Sequence, residues 1–347
     1  MTLTEAKPNT PRVFTLCGAY GMHNLGDEAV RSCVTDALRE LYPCAKTITL
    51  TREPKGDDEL GMFDLSGIKD ALMLSDALIF GGGSLLQNVT SHRSLYWYLL
   101  LMRMAKRRGC KVVFCGCGMG PVIGGRDTRL TARVLNDCAD AVCLRDEESL
   151  EYLRSIGVNK PVLLLGADAA LSISPDGDAD GFLLKAGLDP HSDKVCFIVR
   201  KWGKPGYLSA VADAAKLISG MGITPVFAVM QPEDIPLAKQ CAGLYKCLPY
   251  IPDPALMAAV LGKMRCVVSV RLHGLVLSAA AGTPCVGLAY DPKVSAFARR
   301  IGAQSLSLDS LTARDIAIAA ASAVKPENIP ALKLAAREGI LAVLENI

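Results

Sequence analysis

Aromatic residues are scarce in this chain: they make up 5% of its 347 residues, against 50% for hydrophobic residues as a whole. A core of this size must then be built from Ala, Val, Leu and Ile, a composition suited to α/β sheets with small-residue helices pressed on them. Charge imbalance is missing too. Lys and Arg number 38, Asp and Glu 35, and the formal net charge is +3. No basic run longer than Lys106-Arg107-Arg108 and no basic–aromatic alternation occurs, so no nucleic-acid partner is expected and any anion is bound locally. The polar opening MTLTEAKPNTPR lacks the apolar core of a signal peptide. No run of about 18 residues is free of charged or polar breaks, which argues against a membrane span. Mean hydropathy is nevertheless +0.28, which leaves a peripheral membrane contact open. The 13 cysteines form no CxxC pair, and only four His accompany them. Most, including Cys17, Cys115, Cys196, Cys266 and Cys285, lie in apolar strand-like runs and read as buried reduced thiols of a cytoplasmic protein. Cys115-Gly116-Cys117 has the wrong spacing for a zinc knuckle, and no metal is expected.

What the chain does have is an unbroken alternation of short apolar runs and helical stretches. Strands are expected at Val13–Cys17, Thr47–Thr51, Ala77–Phe80, Val112–Cys115, Ala141–Leu144 and Val162–Leu165. A second series follows at Val195–Val199, Thr224–Val229, Val267–Val270 and Val286–Ala289. Helices fall between them, among them Glu28–Glu40, Leu95–Arg108, Leu208–Gly220 and Leu275–Ala281. Such alternation predicts doubly wound parallel sheets. Pro, Gly and Asp interrupt the rhythm from Ser172 to Asp193, so the chain reads as two domains. The expected division is 1–175 for an N-terminal Rossmann-like domain and 176–193 for a linker. A C-terminal Rossmann-like domain over 194–325 follows, then a helix over 326–347 packing back toward the first domain.

Chemistry-bearing residues gather where strands end, the edge at which open α/β sheets bind ligands. Gly18 to Glu28 follows the first strand. Its glycines let backbone amides approach a ligand, although Asp27 and Glu28 fit equally well as N-cap and first-turn acid of the next helix. Gly81 to Arg93 follows the third strand. The triple glycine and the polar residues after it offer the hydrogen bonds a sugar needs. Gly82, Gly83, Ser84, Gln87, Asn88 and Arg93 are the candidate acceptor contacts. Arg145 leaves another strand, either toward this edge or into a salt bridge within its own helix, and Arg126 rivals it. Arg200 to Lys204 follows the first strand of the second series. Arg271 and His273 close one later strand and Lys293 the next, a convergence that suits an anionic substrate.

Taken together, Gly18 to Glu28, Gly81 to Arg93, Ser269-Val270-Arg271-Leu272-His273-Gly274 and Tyr290-Asp291-Pro292-Lys293 resemble the polysaccharide pyruvyl transferase family, most of all its CsaB-like branch. The likeness runs from about Val13 to Phe297. Its most specific part is Arg-Leu-His with a Lys twenty residues beyond His273. The resemblance implies a GT-B-like fold of two Rossmann-like domains with a closing C-terminal helix. It implies transfer of pyruvate from phosphoenolpyruvate (PEP) to a sugar as a ketal. The acceptor implied for that branch is N-acetylmannosamine of a lipid-linked amino-sugar disaccharide, a cell wall polymer precursor bridged at O4 and O6. His273 and Lys293 are then the matching PEP contacts, with Arg145 or its rival Arg126 as the third, joined by Arg271. His273 is the expected proton donor and Asp27 or Glu28 the acceptor of a hydroxyl proton. PEP is the donor substrate and no cofactor is implied. PEP supply places the reaction in the cytoplasm, at or near the inner face of the membrane. A nucleotide-sugar glycosyltransferase on the same frame, or a non-catalytic binder of anionic saccharides, are the other readings.

Overall fold

The computed structural model describes residues 11–89, 91–202, 206–345 and 347. The N-terminal stretch through residue 10, and Thr90, Gly203 and Lys204 of the runs singled out above, lie outside the described residues. Two compact units result.

The first unit holds seven strands: β1 (Val13–Cys17), β2 (Lys46–Thr51), β3 (Glu59–Gly61), β4 (Ala77–Gly81), β5 (Lys111–Cys117), β6 (Ala141–Leu144) and β7 (Val162–Leu165). They form one parallel sheet in the order β3-β2-β1-β4-β5-β6-β7. Its helices are α1 (Leu25–Leu41), α2 (Leu65–Leu74), α3 (His92–Lys106), α4 (Gly125–Cys138) and α5 (Glu147–Ser155). Strands covered by helices on both faces need continuous apolar runs, and all five residues of β4 are buried. The few aromatics sit centrally: Phe80 and Phe114 stack at 4.6 Å.

The second unit repeats the plan. Its strands are β8 (Lys194–Ile198), β9 (Thr224–Ala228), β10 (Lys246–Cys247), β11 (Cys266–Ser269), β12 (Cys285–Ala289) and β13 (Gln304–Ser307). They are parallel, in the order β10-β9-β8-β11-β12-β13. Its helices are α6 (Ala179–Lys185), α7 (Gly206–Gly220), α8 (Ile235–Ala242), α9 (Pro254–Gly262), α10 (Leu272–Ala280), α11 (Pro292–Arg300) and α12 (Ala313–Ser322). Helix α6 lies within 176–193, where a linker is expected; Asp178 caps it by accepting from Gly181 N, and it packs on α9. The helix expected over 326–347 is α13 (Ile329–Leu344). Its residues through Ala336 count with the second unit and those from Arg337 with the first.

Residues 23–30 count with the second unit although they follow β1. Leu25 N donates to Met230 O at 3.0 Å, and Tyr250 OH donates to His23 O at 3.0 Å. Both Rossmann-like sheets run outward from their first strand, return, and run outward the other way, the strand order of dinucleotide-binding folds. Among the described residues, no helix is long and apolar enough to cross a membrane.

Candidate active site

The direction of the second sheet reverses between β8 and β11. Loops leaving these two strands diverge and open a crevice at the carboxyl edge. Arg271 leaves β11 there. Ser269 shapes the turn: its Oγ accepts from Arg271 N at 3.1 Å and donates to Arg271 O at 2.7 Å. Helix α10 starts at Leu272, three residues earlier than expected, because Arg271 takes an extended N-cap conformation. His273 is thereby in the first turn and not in a loop before it. Gly274 presses the helix onto the sheet, since a Cβ there would collide with Ser269 Oγ and lie 2.9 Å from Ile198 Cδ1. The His273 ring rests on Gly26, where a Cβ would collide with Nδ1 and Cγ. Backbone approach is therefore what Gly26 supplies, and its partner is the imidazole.

Arg271 is held by Asp234, which accepts through Oδ2 from Nε at 2.6 Å and from Nη2 at 2.5 Å. Burial pushes the Asp234 carboxyl up and the Arg271 guanidinium down, and each partner's charge opposes the other's shift. The pair stays ionised because a guanidinium begins far above neutrality. Arg200, leaving β8, brings a second guanidinium. Its Nη1 donates to Tyr290 OH at 2.7 Å, and its Cζ stands 5.3 Å from the Tyr290 ring and 5.7 Å from Trp202. Its Nε is buried without a hydrogen-bond partner among the described residues. Its charge also favours the ionised Asp234 carboxylate, less strongly than that of Arg271 does. On the next strand, Asp291 caps α11 by accepting from Lys293 N at 2.9 Å, with Pro292 at the first helical position. Lys293 therefore sits in a first turn, where the helix dipole disfavours a cation by about 0.3–1 kcal/mol. Arg271 at the start of α10 meets the same field. Positive side chains against two positive helix ends are a poor device for stability and a good one for an anion.

The first sheet reverses between β1 and β4. Tyr20 OH donates to Gly81 O at 2.8 Å, and a Cβ on Gly18 would collide with that same oxygen. Gly82 has φ +116°, open only to glycine. Gly83 O accepts from Gly118 N at 3.1 Å. A Cβ on Gly118 would lie 2.7 Å from Ser84 Oγ and 2.9 Å from Nε and Nη2 of Arg145. The triple glycine, Ser84, the 116–121 loop and Arg145 are thus one cluster. Arg145 is buried, and its Nε meets Asp146 Oδ2 at 3.0 Å while Nη1 meets Asp168 Oδ2 at 3.3 Å. Burial disfavours its charge, yet Asp168 and Asp146 hold the guanidinium above its ordinary value. The salt bridge that sequence left open is present, with Asp168 as an added partner.

The remaining expected residues divide. Arg93 and Arg126 are exposed in the first turns of α3 and α4, and Gln87 is half-buried. Asn88 is turned inward: Oδ1 accepts from Ile123 N, and Nδ2 donates to Ile123 O and Asp127 Oδ2. Its amide holds the loop. Asp27 lies inside α1, which begins at Leu25 and not near Glu28, because Asn24 Oδ1 accepts from Gly26 N at 3.2 Å. Asp27 is buried and accepts from Asn24 Nδ2 at 2.5 Å. Neither Arg200, noted only as following a strand, nor Asp234 is among the candidate site residues expected from the sequence. Arg200 had a signal, a basic residue directly after the central strand of its sheet; Asp234 had none, being a helix-entry acid by appearance.

A family model described as polysaccharide pyruvyl transferase matches residues 24–292. The chain belongs to the polysaccharide pyruvyl transferase family. The match spans over three-quarters of this family member and ends one residue short of Lys293. No curated protein matches it by sequence. Solved structures resemble it in fold. A UDP-N-acetylglucosamine 2-epimerase from Rickettsia bellii is 13% identical, covers 97% of each chain and gives a TM-score of 0.60. That of Methanocaldococcus jannaschii is 10% identical over 97% of this chain and 100% of its own, at 0.63. That of Neisseria meningitidis, solved with UDP-GlcNAc, is 11% identical over 96% and 100%, at 0.63. The fold is GT-B-like: two parallel-sheet α/β domains with a helical C-terminal element.

Proposed function

We propose that this family member transfers pyruvate from PEP to a sugar, forming a ketal with release of phosphate. The observation that carries this is the row of Arg200, Arg271, His273 and Lys293 along one sheet edge, against the N-termini of α10 and α11. PEP carries a carboxylate and a phosphate, and charge-assisted hydrogen bonds from these groups suit both. His273 is the proton donor to the PEP methylene carbon, which makes C2 electrophilic. A sugar hydroxyl then attacks C2, the C2–O bond to phosphate breaks, and a second hydroxyl closes the ring. Asp27, already engaged by Asn24, is better placed to fix the start of α1 beside His273 than to take a proton. Arg145, between two carboxylates, acts through the loop it braces. We assign no cofactor or metal, since cationic side chains meet the donor's charge.

The CsaB-like branch supplies the finer reading. Its acceptor is N-acetylmannosamine of a lipid-linked disaccharide, pyruvylated at O4 and O6, in the cytoplasm at the inner membrane face. The test is to incubate the protein with PEP and a UDP- or lipid-linked N-acetylmannosamine disaccharide and measure free phosphate. Acceptor-dependent release supports the proposal. Release of UDP from a UDP-sugar without use of PEP would favour a glycosyltransferase instead, and saccharide binding without product a non-catalytic binder.

A further inference from the structure

Three helices of the first unit carry a face that has no part in the reaction as described so far. Helix α3 packs against both α2 and α4, and the three run side by side in one direction. Phe63, just before α2, lies 5.3 Å from Trp97 in the first half of α3. Cys110, just beyond α3, donates to Leu72 O and Ser75 O at the end of α2. Toward α4, Tyr96 OH donates to Asp127 Oδ1 at 2.6 Å near both helix starts, and the charges of Arg103 and Lys106 act on Cys138 at the far end.

The outward sides of these helices differ in kind. That of α2 is apolar: Met73 and Leu74 are each 70% exposed. That of α3 is mixed: Leu100, 43% exposed, and the exposed Arg103 and Arg107 share a side by their spacing of three and four residues. That of α4 is basic: Arg126, Arg129 and Arg133 are exposed at the same spacing. The nearby carboxylates are engaged elsewhere. Asp127 is buried, accepts from Asn88 Nδ2 at 3.0 Å and pairs with His92 Nδ1 at 2.9 Å. Asp140 holds Lys106 and Lys111, and Asp137 holds Lys160. Among the described residues, Arg103, Arg107, Arg129 and Arg133 are in no ion pair.

We propose that this α2–α3–α4 face of the first unit rests on a bilayer surface carrying anionic lipid headgroups. Met73, Leu74 and Leu100 enter the boundary between headgroups and acyl chains. The arginines lay their apolar stems along the same surface and place their guanidiniums on lipid phosphates. A protein partner is met by an apolar centre inside a polar rim. Here the apolar helix lies to one side and the basic helix to the other, an order that suits a bilayer, which offers acyl carbon and phosphate over its whole extent. The contact would hold the chain where a lipid-linked acceptor is found, yet it does not depend on the pyruvyl-transfer reading.

The test sediments the full chain with vesicles of phosphatidylcholine alone or mixed with phosphatidylglycerol. Wild type is expected to bind the mixed vesicles and to bind them less as salt rises. Met73→Asp with Leu74→Asp, and Arg103→Glu with Arg107→Glu, should each keep the wild-type Tm and lower the partition coefficient at least about tenfold. Arg129→Glu with Arg133→Glu should do the same. Arg314→Glu with Lys325→Glu, the same charge change at exposed positions of the second unit, should stay within about threefold of wild type. Wild type that does not bind the mixed vesicles overturns the proposal, as do folded face variants that bind as wild type does. An equal loss in the second-unit variant also overturns it, since net charge alone then accounts for binding. A dimer in solution that Met73→Asp with Leu74→Asp abolishes, without vesicle binding, gives the face to a second copy and overturns the membrane contact.

Discussion

Gly26 sets two physical rules against each other at a single residue. By intrinsic propensity an alanine in a helix is preferred to glycine by about 1 kcal/mol. By packing, the added methyl would enter the His273 ring. We expect Gly26→Ala to keep or raise Tm and to lower kcat at least about tenfold, because the imidazole must turn to make room. Unchanged kcat in a phosphate-release assay would show that the ring has space to spare. Arg200 is the matching case for charge. Arg200→Met keeps the stem over Trp202 and Tyr290 and removes the cation. A hydrogen bond to a charged group contributes about 1.5–3 kcal/mol, so KM for PEP should rise roughly tenfold to a hundredfold with Tm little changed. An unaltered KM would remove Arg200 from the anion site. Arg271, His273 and Lys293 were legible as residues because cations directly after strands have few structural uses. The partners were not: Asp234 on Arg271, Asp168 on Arg145 and Gly26 under His273 are 37, 23 and 247 positions away along the chain. Nothing local marks such pairings.

At the scale of elements, strands were easier to read than helix starts. Parallel strands covered on both faces are apolar throughout, as the buried Ala141–Leu144 is, and the edge strand Val162–Leu165 stands out as written because all four of its residues are apolar although none is buried. Helix starts depend on one side chain, such as Asn24 before α1 or Asp146 before α5, whose acceptor role becomes visible only once the backbone is placed. Short edge strands such as β10 and β13 carry too few apolar residues to announce themselves. The α3–α4 contact has a pH signature. The Asp127 carboxyl is held low in the folded chain, so its contribution is fully present above the ordinary Asp value of about 3.9. It is lost as pH falls through the lower folded value. Wild type should therefore lose Tm below about pH 4, and Asp127→Asn, with no carboxylate to protonate, should start lower and fall less. Parallel Tm–pH curves for the two proteins would show that the network does not favour the ionised form.

For the whole molecule, the alternation of strands and helices was enough to read two Rossmann-like sheets, because each βαβ repeat is local in sequence. Which unit owns a terminal segment is not local. Residues 23–30 and the two parts of α13 group with elements far from them along the chain. From Arg337 onward α13 belongs to the first unit: Ile340, Val343 and Leu344 are buried, Gly339 abuts Cys143 Sγ, Arg337 pairs with Glu40, and Tyr42 OH donates to Leu344 O. Three buried aliphatic side chains at about 1.5–3 kcal/mol each approach the roughly 5–15 kcal/mol that holds a domain together. Deleting Arg337–Ile347 should thus destabilise the first unit far more than the second, whose share of the helix (Ile329, Leu332 and Ala336 buried) is retained. The two tryptophans make this measurable, since Trp97 lies in the first unit and Trp202 in the second. With Trp202→Phe as the reporter background, Trp97 fluorescence should show the urea midpoint collapsing on truncation. With Trp97→Phe, the Trp202 transition should move much less. A Trp97 midpoint that stays in place would mean that the last two turns of α13 cover the first unit without stabilising it.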